Sequence, residues 1–188
     1  AVYNRLTIYV NSNGMSRMRT VGILGISAVL VGFLLVVVKI LKGHDFRWLV
    51  RRQLWTVAFA VYLYAVLPVD AWVMRHNVSR ILAGDPAPSI QFSVHPTSAE
   101  GVLNLLPLTQ CNDEIIREGV KAILAQYQDN SETLAAERKT LGWTSRQIAD
   151  DELLRVLQES QSHWAKYKDK SRRGAATTRF HEYAYQWY

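Results

Sequence analysis

The sequence predicts a mainly α protein: two transmembrane helices followed by a small all-α extramembrane module. Three observations predict it. Val21 to Val38 runs eighteen residues without a charge, and a second uncharged run covers Leu54 to Val69. The basic excess sits wholly in the half that holds these runs. Residues 1–83 carry ten Lys/Arg against two acids, and residues 84–188 carry twelve against fourteen, within a net charge of +6. Beyond residue 97 the apolar residues recur at helical spacing between capping signals. At 49% apolar the chain is too hydrophobic to stay disordered, and its single cysteine, Cys111, excludes an internal disulfide and a Cys-rich zinc site.

Residues 1–20 form a pre-membrane segment, and residues 21–42 the first span. Eighteen residues of helix are about 27 Å long, close to a hydrocarbon thickness of roughly 30 Å. Arg17 and Arg19 precede the run, and Lys39 and Lys42 follow it. It is longer than the apolar core of a signal peptide, and a soluble core helix rarely goes so far without a polar face. Within it Gly25, Ala28 and Gly32 make a stripe of small residues, which lets another membrane helix approach closely. The chain begins with Ala1 rather than Met, so it reads as a processed polypeptide or the end of a longer one.

Residues 43–52 form a basic connection, and residues 53–75 the second span. Trp55 and Trp72 are seventeen positions apart, about 25 Å along a continuous helix, as two interfacial anchors would be. Pro68 falls near the end of the span, where a kink costs least. Counting positive residues sets the orientation. The connection has five (Lys39, Lys42, Arg47, Arg51, Arg52), against three before the first span and two just after the second. The connection is therefore expected in the cytoplasm and the module outside, in the periplasm of a bacterial inner membrane.

Residues 76–96 read as a linker, with a turn-rich Ala83–Ser89 and an Ile90–Val94 stretch that alternates like a strand or extended tether. Residues 97–188 are the helical module. Thr97 with Glu100 has capping-box spacing for a short helix ended by Pro107. Asn112 is the expected cap of a stronger helix, with Ile115, Ile116, Val120, Ile123 and Leu124 on its buried face. Ser131–Leu141, closed by Gly142, and Thr144–Gln158 make two more helices. The last carries Phe180, Tyr183 and Trp187 at helical spacing.

Asn4 to Ile81 carries a set of short motifs: Arg5-Leu6, Tyr9-Val10, Gly14-Met15 and Arg17-Met18-Arg19 before the first span, then Pro68, Asp70, Arg75 and Asn77. With these the chain resembles a group of bacterial multi-pass membrane proteins classed only as a domain of unknown function. Leu67 and Met74 stand where that pattern has Asn and Ala. The resemblance implies the C-terminal portion of a larger multi-pass protein with no known reaction.

The candidate chemistry is sparse. Asp70, Arg75 and Asn77 form a candidate polar site at the membrane interface, read first as structural and second as an ion path. The aromatic cluster Phe180, Tyr183, Tyr185, Trp187 and Tyr188 is read as a partner contact, with folding back onto the module as its alternative. Cys111 has no patterned neighbour, and no two of the five histidines share a helical face. Lys166 to Arg173 holds five positive residues, read as a solvated face before lipid or nucleic-acid contact. No phosphate loop, dinucleotide fingerprint or nucleophile elbow occurs. The expectation is a non-enzymatic integral membrane subunit or scaffold, without cofactor, metal or nucleic acid. Its partners are the lipid bilayer, other membrane helices and proteins outside. The alternative is a transport or signalling component using Asp70.

Overall fold

A computed structural model describes residues 2–95, 97–141 and 147–187. Among them all regular structure is helical, in two units: residues 16–69, and residues 1–15 together with 70–188.

The first unit is a helical hairpin. α2 (Arg17–Lys42) opens on Ser16, whose side chain accepts from the Arg19 N–H at 3.3 Å. It closes at Gly43, whose φ of 63° is the left-handed conformation that glycine takes without strain. Asp45 then caps α3 (Phe46–Val66), accepting from the Trp48 N–H at 2.8 Å. Gly32 of α2 meets Gln53 of α3: the Gln53 amide donates to the Gly32 carbonyl at 3.1 Å, and a Cβ on Gly32 would lie 2.8 Å from that side chain. Leu49, Gln53, Thr56, Ala60 and Leu63, half-buried along with Trp48, follow one face of α3.

α2 is long and apolar enough to cross a membrane. Only 6% of its most apolar eighteen residues is buried, the reverse of a core helix. The second span expected at 53–75 is not one helix. α3 ends at Val66, Leu67 is extended at ψ 137°, and α4 (Val69–Leu82) starts afresh. Pro68 causes the break: its ring disfavours helical geometry at Leu67, and it has no N–H to continue the ladder. The uncharged part of α3 is thus 14 residues, Gln53–Val66, about 21 Å of helix. α3 passes as a span only if joined to α4 across the break, so the described residues hold one or two candidate spans.

The second unit is all α. α4 belongs to it as a core helix, since Met74, Val78 and Ile81 join its buried cluster. Residues 76–96 are therefore not a linker. After α4 come a 3₁₀ turn (Ala87–Ser89) and α5 (Ile90–Ser93), where Ile90 and Phe92 are buried. Helix replaces the expected strand or tether here. α6 (Ala99–Leu103) is capped by Ser98 instead of Thr97, and Pro107 lies inside a following 3₁₀ segment, Leu106–Gln110.

α7 (Glu114–Leu141) is a single helix of 28 residues where two were expected. Neither Asn130 nor Ser131 forces a break, so the chain propagates through them. Its cap is Asp113, not Asn112: the carboxylate accepts from the N–H groups of Ile115 and Ile116 at 2.9 and 3.1 Å. The expected inner face holds, with Ile116, Val120, Ile123 and Leu124 buried and Ile115 packed against the cluster. The expected Gly142 stop and Thr144 start lie outside the described residues.

α8 (Ile148–Glu159) buries Leu153 and Leu157, while Ile148 at its start is 87% exposed. A 3₁₀ segment (Gln161–Lys168) brings in Trp164 and Tyr167, and α9 (Lys170–Tyr185) closes the unit along α7.

Candidate functional site

Four of the motif residues, Val10, Gly14, Met15 and Asn77, meet in one polar clasp. α1 (Val2–Asn13) ends on Gly14, at φ 78°, whose N–H donates to the Val10 carbonyl at 3.0 Å and leaves the carbonyls after it in need of partners. Side chains from later in the chain supply them. Arg80 of α4 donates to the carbonyls of Val10 and Asn11 and pairs with Asp85. Gln91 of α5 donates to the Asn13 carbonyl at 2.8 Å. Asn77, fully buried, accepts from the Met15 N–H at 2.7 Å and donates to the Met15 carbonyl at 2.8 Å. Its amide thus pairs with the Met15 backbone as a neighbouring strand would. A Cβ at Gly14 would lie 2.8 Å from both the Asn77 oxygen and Pro88, so the close approach needs glycine.

Asp70, Arg75 and Asn77, grouped by the sequence as one polar site, have separate surroundings. Asp70 is half-buried in the first turn of α4, where a carboxylate suits the helix N-terminus, and its backbone lies against Gly101. Arg75 is exposed. Asn77 is in the clasp. The sequence missed Arg80 and Gln91, because the carbonyls they bond lie some seventy residues away, and with them Asp85, which holds the Arg80 guanidinium.

The C-terminal aromatic cluster divides as well. Phe180 is fully buried and stacks on Phe92 with ring centres 5.7 Å apart, so it is core and not a partner contact. Tyr183 donates to Asp113 at 2.7 Å, joining α9 to the cap of α7. Burial, then that hydrogen bond to a carboxylate, pushes the Tyr183 phenol up to about 12. Tyr185 and Trp187 are exposed by 52% and 41%; Tyr188 lies outside the described residues.

A cavity of about 420 Å³ lies beside these groups, lined by Ile81, Gly84, Gln110, Cys111, Asp113 and Tyr183 among others. Burial, followed by the Asp113 charge, pushes the Cys111 thiol up. It is therefore protonated at neutral pH and a poor nucleophile. Among the described residues no cluster of His, Cys, Asp and Glu could hold a metal ion.

The basic run is largely neutralised. Lys166 pairs with Glu118, Arg172 with Asp169 and Arg173 with Asp129. Burial pushes the Glu118 carboxyl up, but hydrogen bonds from Lys166, Tyr167 and Lys121 outweigh it and hold its pKa at about 2.

The hairpin has the opposite character. Val29, Phe33 and Ile40 on α2, and Leu54, Trp55, Phe59 and Val61 on α3, are all 59% or more exposed. Of the small-residue stripe, Gly32 touches α3, Ala28 is half-buried, and Gly25 opens on space with nothing within 4 Å of an added Cβ.

No curated protein and no solved structure matches the chain. A family model matches residues 2–105, a stretch that contains both the hairpin and every residue of the clasp. The chain belongs to the family defined by DUF4153, a domain of unknown function.

Proposed function

We propose that this chain is a non-enzymatic integral membrane subunit. Its α2–α3 hairpin lies in the bilayer, and its helical module makes protein contacts outside. The observation that carries the reading is the outward apolar surface of the hairpin. Large side chains from Val29 to Val61 stand exposed in a unit with almost no interior of its own. Exposed apolar surface on that scale marks a membrane or protein interface. Helices whose backbone groups bond internally can enter hydrocarbon without an unsatisfied donor.

The five positive residues around the hairpin turn support an orientation with the turn in the cytoplasm of a bacterial inner membrane and the module periplasmic. Gly25 and Ala28 then present the close-approach face to a further membrane helix. Tyr185 and Trp187 are the exposed aromatics left for a protein partner. The transport alternative has less support, because Asp70 sits in a helical first turn, where its charge has a structural use.

Alkaline carbonate extraction tests the reading. The full chain should stay in the membrane pellet, as should a variant with Tyr185 and Trp187 changed to Ala. Release of the wild type by carbonate or salt would defeat the proposal.

A further inference from the structure

The outer face of α3 is divided lengthwise. Arg47, Val50, Arg51, Leu54, Trp55 and Ala58 follow i, i+3, i+4, i+7, i+8 and i+11, and they line one shallow open groove of about 600 Å³. Its first turn is cationic and the rest apolar. All six side chains are exposed, and this face is distinct from the half-buried Leu49–Gln53–Thr56–Ala60 face. Among the described residues neither Arg47 nor Arg51 is held by an ion pair.

The hairpin register gives this groove a second property. The Gln53–Gly32 hydrogen bond sets those residues side by side. On α2 the first cation beyond that level is Lys39, seven residues on, or about 10 Å along the helix. On α3 the cations start at Arg52, one residue from Gln53. The two helices therefore disagree about where hydrocarbon ends: Arg52 and Arg51 lie about 9 and 7 Å deeper than Lys39, while Arg47, six residues from Gln53, is within about 2 Å of the Lys39 level. Arg52 leans over Trp48, 5.8 Å from its ring centre, which leaves Arg47 and Arg51 as the cations of the groove. Arg51, the deeper of the two, needs a counter-charge at that depth, and Arg47 stands one turn nearer the headgroups.

We infer that this groove binds an anionic phospholipid of the surrounding bilayer. Its phosphate lies between Arg47 and Arg51, and an acyl chain lies along Val50, Leu54, Trp55 and Ala58. Guanidinium groups suit a phosphate, which they bind through paired N–H donors. The apolar end of the stripe continues in the direction a chain must run from a headgroup. The inference rests on the hairpin lying in the bilayer.

Native mass spectrometry of the full chain, released from nanodiscs of phosphatidylcholine with phosphatidylglycerol, tests it. Phosphatidylglycerol should dominate the bound lipid on the wild type. Arg47→Gln with Arg51→Gln should lower it about thirtyfold, the scale expected for two cations near an anionic headgroup. Lys39→Gln with Lys42→Gln, which removes the same charge from α2, should leave most of it, as should Arg179→Gln. Excess inorganic phosphate should not displace the lipid. Equal loss from the lysine pair, displacement by phosphate, or phosphatidylcholine bound as well as phosphatidylglycerol would each overturn the lipid site alone. A chain that fails to enter nanodiscs and is stripped from membranes by carbonate overturns the bilayer reading with it.

Discussion

Asn77 shows how much one side chain can carry. Its amide supplies one donor and one acceptor to the Met15 backbone, and it does so with no exposure to water. Asn77→Asp keeps the shape but removes the donor, so a carboxylate would face the Met15 carbonyl. The expected loss is about 2–3 kcal/mol, the scale of an unsatisfied buried group, and chemical denaturation of the full chain would read it. Unchanged stability would mean that the pairing contributes nothing. Glu118 makes a second residue-scale case. Its pKa is about 2 in the folded state against 4.5 unperturbed, so the carboxylate is favoured by folding. That stability is fully present above about pH 4.5 and is lost as pH falls toward 2. Glu118→Gln should flatten the acid limb of a stability–pH profile and leave its shape above pH 6 unchanged. An identical acid limb in the variant would show that another carboxylate governs it. The sequence shows that Asn77 and Glu118 are polar residues on helices. It does not show their partners, which lie 62 and about 48 positions away.

At the scale of the element, capping and breaking residues decided more than periodicity. The inner face of α7 was legible from Ile116, Val120, Ile123 and Leu124, because one amphipathic helix writes its own pattern. The extent of α7 was not, since Asn130 and Ser131 look like a boundary yet are tolerated in a helix that is packed before them and runs on largely exposed after them. Pro68 was read as a mild kink and instead ends α3, which moves α4 from the membrane reading into the helical module. The strand-like alternation of Ile90–Val94 spans only five residues, too few to separate a period of 2 from a turn of helix. One contact between elements was invisible in the sequence: Gly119 of α7 allows Phe180 of α9 so close that a Cβ would lie 2.3 Å from its ring. Gly119→Ala gains up to about 1 kcal/mol of helix propensity and costs about 1–3 kcal/mol in overpacking. Phe180 is fully buried and stacked on Phe92, so the ring has nowhere to go and the cost should win. Thermal denaturation should show a lower midpoint for Gly119→Ala; a higher one would mean that α9 can shift.

At the scale of the whole molecule, the division of labour follows from where the apolar residues are spent. Residues 70–188 bury theirs around Leu105, Leu124, Trp164 and Phe180, with carboxylates placed against the cations at the rim. Residues 16–69 leave theirs outside. The outward apolar half of this was legible from the uncharged run Val21–Val38 alone. The register of the hairpin was not, since it depends on one hydrogen bond between Gln53 and Gly32. In the proposed arrangement the exposed surface of α2 faces lipid. Nitroxide labels at Val29→Cys and Phe33→Cys, in a Cys111→Ser background in liposomes, measure this directly, with Ile148→Cys as the reference on the helical module. The account predicts that labels at 29 and 33 collide preferentially with oxygen, and the label at 148 with a water-soluble nickel reagent. Nickel accessibility at 29 and 33 equal to that at 148 would contradict it.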